Sequence, residues 1–163
     1  MVPVAIAVYA FAIVSANLLV LRFGPSIAPW IAFFLIGLDL ALRNWLNLRM
    51  RPLAMGVLIL ATGVLTYLVN PGARSIAIAS AVAFTAAAFA DWATFRAVPG
   101  SWTRRNVAAA TAGAAVDSII FPTLAFGAVL PSIVIGQFVA KVAGAAAWGW
   151  LIRPRDALAK APG

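Results

Sequence analysis

Long apolar stretches alternate with short polar breaks along the whole chain. Six such stretches stand out, residues 3–21, 26–48, 53–70, 74–95, 106–128 and 131–152. Each is close to the roughly 20 residues that cross a bilayer as a helix, with tilt absorbing the differences. The breaks carry turn and interface signals: "RFGPS" at 22–26, "RMRP" at 49–52, "NPGAR" at 70–74, "VPGSWTRRN" at 98–106 and "VLP" at 129–131. No connection is long enough to hold a soluble domain. The pattern predicts an all-α, polytopic membrane protein with six transmembrane helices and a single transmembrane domain over residues 1–163. The first stretch has no basic residue before it and exceeds a signal-peptide core, so it reads as a retained helix.

The polar breaks also set a direction. Arg43, Arg49, Arg51, Arg96, Arg104, Arg105, Arg153, Arg155 and Lys160 fall on one side, against Arg22 and Arg74 on the other. Basic residues favour the cytoplasmic face, so both termini are expected to be cytoplasmic, in the cell (inner) membrane. Trp45, Trp92, Trp102, Trp148 and Trp150 lie toward that same side, as interfacial anchors would. Six helices divide into two three-helix halves of opposite topology, a plan common among transporters, although no residue-level repeat links the halves.

Composition sharpens this reading. The chain is 64% hydrophobic and 10% charged, with a mean hydropathy of +1.03, against about 25% charged residues in soluble domains. The net charge of +8 would point to nucleic acid in a soluble protein. Here the charges separate apolar runs, so the partner is the lipid bilayer and no nucleic acid is expected. Cys, His and Glu are all missing from the sequence. Disulfides, thiol nucleophiles, histidine metal sites and imidazole chemistry are therefore excluded. There is no GxSxG, no HExxH, no catalytic carboxylate pair and no nucleotide-binding glycine loop, so no catalytic residue, metal or cofactor is expected and the chain is not read as an enzyme.

The candidate chemistry lies in polar residues within the apolar stretches. At about 1.5 Å of rise per residue, Asp117 falls near the middle of the fifth stretch and Lys141 near the middle of the sixth. Asp39 is central in the second, with Arg43 one turn away on the same face. Asp91 lies in the inner third of the fourth, and Asn17 in the outer half of the first. Gln137 is one turn from Lys141. A charge at mid-membrane costs roughly 2.5–3.5 kcal/mol on insertion scales, so it normally faces a cavity or a partner. Asp39–Arg43 reads equally as a structural i,i+4 pair or as part of a site. Asp117 and Lys141 favour function, because intramembrane ionisable groups mark pathways. Asp91 is open between the two, and lone amides such as Asn17 and Gln137 often only bridge helices. Pro122 removes the helical partner of the Ser118 carbonyl, which makes the backbone beside Asp117 polar. Small residues at Gly136, Ala140 and Gly144, and in "AAATAGAA" at 108–115, predict close packing of the last two helices, with Asp117 beside Lys141.

Five segments resemble the queuosine-precursor transporter family, also called the vitamin uptake transporter (VUT) family. They are "SANLLVLRFGP" at 15–25, "FFLIGLDLALRNW" at 33–45, "RSIAIASAVAFTAAAFADWATF" at 74–95, "AVDSIIFPTLAFG" at 115–127 and "GQFVAKVAG" at 136–144. The resemblance implies import of 7-cyano-7-deazaguanine or a related deazapurine as a small-molecule substrate. It implies that Asp91, Asp117 and Lys141 match recurring polar positions, with Asp39 the acidic position of the second helix. A carboxylate can accept from the adjacent N–H donors of a deazaguanine. Lys141, Gln137 or Arg43 can donate to its carbonyl, and Phe121, Phe126 or Phe138 can cover the ring. The expected substrate-binding set is therefore Asp117, Lys141, Asp91, Gln137, Asp39, Arg43, Asn17, Ser118 and Phe121, with Asp117 the first choice of carboxylate. The competing reading is a non-transporting membrane assembly protein: a small pore former, a holin-like protein or an integral subunit of a larger transporter. The small-residue stripes would then serve self-association into a homo-oligomer.

Overall fold

A computed structural model describes residues 1–23, 27–69, 74–127 and 131–154. Arg155, Lys160 and the parts of the first, third and fifth breaks that fall at 24–26, 70–73 and 128–130 lie outside these residues. The described chain is helical, with no strand in it. We number the helices α1 (Val2–Phe23), α2 (Ala28–Asn47), α3 (Pro52–Leu68), α4 (Arg74–Ala97), α5 (Trp102–Phe126) and α6 (Pro131–Leu151). These match the six apolar stretches, with one clear shift. The fifth helix begins four residues earlier than its apolar run, because Ser101 caps it by accepting from the Arg104 amide at 3.3 Å.

Among the described residues, four segments are long and apolar enough to cross a membrane: Ala28–Asn47, Ile78–Ala97, Trp102–Leu124 and Val134–Leu151. Val2–Ala16 and Pro52–Leu68 are shorter apolar helices. At 1.5 Å per residue, the 17 residues of α3 reach about 25 Å, at the lower end of the range that spans a hydrocarbon core.

α2 is the central helix. It packs against α1, α3, α4, α5 and α6, while the others form an arc around it in the order α6, α5, α4, α3, α1. Its Gly37–Asn47 portion is buried at nearly every position, charged ones included. Residues Ala32–Ile36 within α2 form a π-helical segment. A π-bulge inserts one extra residue into the turn, so the face presented by residues before it does not continue after it.

Two glycines bring α2 and α6 into backbone contact. A Cβ on Gly144 would stand 2.1 Å from the Phe33 carbonyl oxygen, and one on Gly37 would stand 2.6 Å from the Gly144 carbonyl carbon. The stripe on α6 was expected to receive α5. Instead Gly144 receives α2, and around Gly136 there is open space. Gly113 in the small-residue run of α5 likewise faces Asp91 and Ala87 of α4. α5 and α6 do pack together, through other positions.

The start of α1 and the residue after α6 meet at the C-terminal end of α2. Met1, Val4, Leu42, Trp45 and Ile152 line a shallow hollow there, of about 460 Å³. Arginines at this end lie over aromatic rings: Arg49 on Trp45 at 3.7 Å, Arg105 on Phe95 at 4.2 Å and Arg153 on Trp150 at 5.4 Å. The tryptophans are not all surface anchors as expected. Trp45 and Trp102 are core residues, while Trp150 is exposed. Trp102 turns inward because its Nε1 donates to the Gly149 carbonyl of α6 at 2.8 Å, which satisfies the indole inside the bundle.

Candidate functional site

The buried charges form two groups. The first is centred on Arg43, which is 2% exposed. As the i,i+4 spacing predicts, Arg43 bonds Asp39 within α2. It also reaches Asp91 of α4, at 3.8 Å from Nη1 to Oδ2. Its guanidinium lies 5.9 Å from the ring centre of Tyr9 in α1 and 5.3 Å from that of Phe84 in α4. One arginine therefore ties three helices together through charge and ring faces. Tyr9 is fixed in turn by Thr62 of α3, with the two hydroxyls 3.3 Å apart.

A ladder of amides continues from this group. Asn44 donates to Asp91 Oδ1 at 3.4 Å and to Asn106 Oδ1 at 3.2 Å. Asn106 donates to the Ala145 carbonyl of α6 at 2.9 Å. Its amide fills the notch left by Gly149, where a Cβ would stand 2.3 Å from Nδ2. Nothing in the residue pattern singles out Asn44, Asn106, Tyr9 or Thr62. Asn106 sits at the edge of a basic, polar run that reads as a loop. The available signal was its place one turn after Trp102, which puts both side chains on the same face of α5.

The second group is the expected pair. Lys141 Nζ of α6 lies 2.5 Å from Asp117 Oδ2 of α5. Lys141 is 5% exposed, whereas the Asp117 side chain is 29% exposed. The difference matters. The lysine is held inside the bundle, and the carboxylate is its link to the outside of the α5–α6 crossing. Asp39 and Asp117 are close enough for their carboxylates to repel, so the two groups form neighbouring parts of one polar region.

Next to Asp117, the Ser118 hydroxyl is buried without a hydrogen-bond partner. α5 runs unbroken through Pro122 to Phe126 and ends at Gly127, whose φ of 68° is the left-handed conformation of a helix C-cap. Proline removes the i+4 amide donor to the Ser118 carbonyl, beside this unpartnered hydroxyl. Phe121 is half-buried one turn further along, and Gln137 is half-buried one turn from Lys141. The side chains of Asn17 and Phe126 lie outside the described residues. Thus Asp117 and Lys141 come together at α5–α6, with Ser118 next to Asp117 in the chain, while Asp39, Arg43 and Asp91 come together at α2–α4. Among the described residues no three carboxylates converge as a metal site would require.

The chemistry of this arrangement is hydrogen bonding. It offers an acceptor in Asp117, a donor in Lys141 and a hydroxyl in Ser118 that is both. The family described as "Putative vitamin uptake transporter" matches residues 3–153 of the chain. No curated protein and no solved structure matches it.

Proposed function

The chain belongs to the vitamin uptake transporter family, and from that premise we propose that it imports a queuosine precursor, 7-cyano-7-deazaguanine or a related deazapurine. With several helices long and apolar enough to cross a membrane, it is a multi-pass membrane protein. In the proposed arrangement α1 and α3 also cross, giving six spans, and both termini lie in the cytoplasm. Arg49 and Arg153, at the end of the bundle where the start of α1 meets Ile152, support this orientation.

The observation that carries the proposal is the Asp117–Lys141 pair, with its lysine buried and its carboxylate partly open. A deazaguanine presents two adjacent N–H donors beside a carbonyl. Asp117 accepts the donors, Lys141 turns its ammonium to the carbonyl, and Ser118 supplies the remaining polar contact. The solute thus enters between partners that otherwise satisfy each other. Phe121 and Gln137 border the same stretch, and Asp39, Arg43 and Asp91 support it from α2 and α4. Discrimination follows because an analogue without the hydrogen-bonding edge leaves the buried Lys141 and the partly open Asp117 poorly paired. A pure assembly protein would use its charges only for pairing, and its unpaired polar atoms would serve nothing.

The test is genetic and chemical. The chain is expressed in a bacterium unable to make or import the deazapurine, and queuosine is measured in its tRNA with the precursor supplied at low concentration. The proposal expects restoration by the wild type and its loss in Asp117→Ala. No restoration by well-expressed wild type rejects the substrate, and full restoration by Asp117→Ala rejects the site.

A further inference from the structure

The buried charges do not balance. Among the described residues, Asp39, Asp91 and Asp117 form ion pairs only with Arg43 and Lys141. Each cation already has a close partner. Arg43 is bonded to Asp39 within its own helix, and Lys141 is bonded to Asp117 at 2.5 Å. Asp91 is left over. It is 0% exposed, it reaches Arg43 only at 3.8 Å, and its Oδ2 has no hydrogen-bond partner.

Among the described residues, the surroundings of Asp91 offer no other positive charge. From α2 it faces Arg43, Asp39 and the neutral amide of Asn44. From α5 it meets the backbone side of Gly113, with Asn106 beyond Asn44. From α1 the neighbouring titratable group is Tyr9, behind Arg43. α3 carries no charged residue. A carboxylate enclosed this way, with a second carboxylate sharing its only cation, is stable when neutral or when given one more positive charge. The absence of a three-carboxylate grouping among the described residues argues against a metal ion in that role.

We propose that Asp91 is a proton-binding site and that the proton is the co-substrate of transport, an inference that rests on the uptake reading above. The proton adds to Asp91 Oδ2 from the external medium before the solute enters at Asp117 and Lys141. The neutral acid then releases it toward the cytoplasm. No electrons move, and water on either side is the proton's source and sink. The Asn44–Asn106 ladder gives the neutral and the charged carboxyl a hydrogen-bond partner in either state, since each amide can donate or accept.

Infrared spectroscopy tests the site without any solute. The chain has four aspartates and no glutamate, so a protonated-carboxyl band from a side chain can come only from aspartate. The full-length protein is prepared with aspartate isotopically labelled at its side-chain carboxyl and reconstituted in ether-linked lipid, which has no ester carbonyl. The expected result at neutral pH is one isotope-shifted band in the wild type. In Asp91→Glu the proton sits on an unlabelled carboxyl, so the isotope shift disappears. In Asp91→Asn the band itself is lost. Absence of the band in wild type overturns the proposal without needing any variant, and its persistence with full isotope shift in Asp91→Glu overturns it too.

Transport supplies the second readout. In vesicles, an inward pH gradient is expected to raise the accumulation of 7-cyano-7-deazaguanine by wild type and to have no effect on that by Asp91→Asn. Accumulation in Asp91→Asn equal to wild type overturns the coupling role. If wild type shows no accumulation at all but keeps the infrared band, the solute assignment fails and the proton site stands.

Discussion

Gly144→Ala is the most direct probe of how the bundle places its charges. The added Cβ would stand 2.1 Å from the Phe33 carbonyl oxygen and 2.8 Å from the Phe33 carbonyl carbon. These are backbone atoms of a packed helix, so no side-chain rotation relieves the clash. α2 and α6 must separate by roughly 1 Å, and overpacking of this kind costs about 1–3 kcal/mol. The displacement also reaches the site, because Gly144 lies one turn from Lys141 and α2 carries Asp39 and Arg43. A misplacement of about 1 Å can lower a geometry-dependent rate by up to about 100-fold. The assay compares Gly144→Ala with Gly136→Ala, where the new methyl meets nothing within 4 Å. Thermal unfolding in detergent and deazapurine uptake are measured for both. The expectation is a clear loss of stability and uptake in Gly144→Ala, and a change within about 0.5 kcal/mol for the control. Equal stability and equal uptake in the two variants would refute the α2–α6 contact.

Two further predictions follow from the polar contacts. Asp117→Ala leaves Lys141 buried without its partner, and removing one member of a buried pair costs up to about 3–5 kcal/mol; the partial exposure of Asp117 lowers that figure. The double variant Asp117→Ala with Lys141→Met should recover most of the stability but none of the uptake, and recovery of both would show that the pair is only structural. Asn106→Ala removes the donor to the Ala145 carbonyl and empties the notch at Gly149, so a loss of about 1–3 kcal/mol is expected. Unfolding measurements that place Asn106→Ala level with wild type would contradict the amide ladder.

Much of this arrangement was legible in the sequence, and the limits have physical causes. The Asp39–Arg43 pair follows from i,i+4 spacing alone. The Asp117–Lys141 pair follows from depth, since both sit near the middle of consecutive apolar stretches joined by a short turn. The link from Arg43 to Asp91 was not legible, because it crosses from α2 to α4 and no spacing within one helix encodes it. Nor was the partner of Gly144. A stripe of small residues says that a helix comes close without saying which one, and the π-helical segment of α2 shifts the face that meets it. The start of α5 was placed late because "TRRN" is polar. A helix begins where its cap is, and Ser101 provides it.

The central claim is that Asp117 and Lys141 together hold a deazapurine during uptake. It is tested most directly by uptake of labelled 7-cyano-7-deazaguanine into vesicles holding purified full-length protein. Wild type, Asp117→Asn and Lys141→Gln are compared, with an analogue lacking the pyrimidine-edge N–H donors as competitor. The account predicts saturable uptake by wild type that this analogue does not inhibit, and a loss of at least tenfold, about 1.4 kcal/mol, in each variant. Saturable uptake retained in both variants would contradict it.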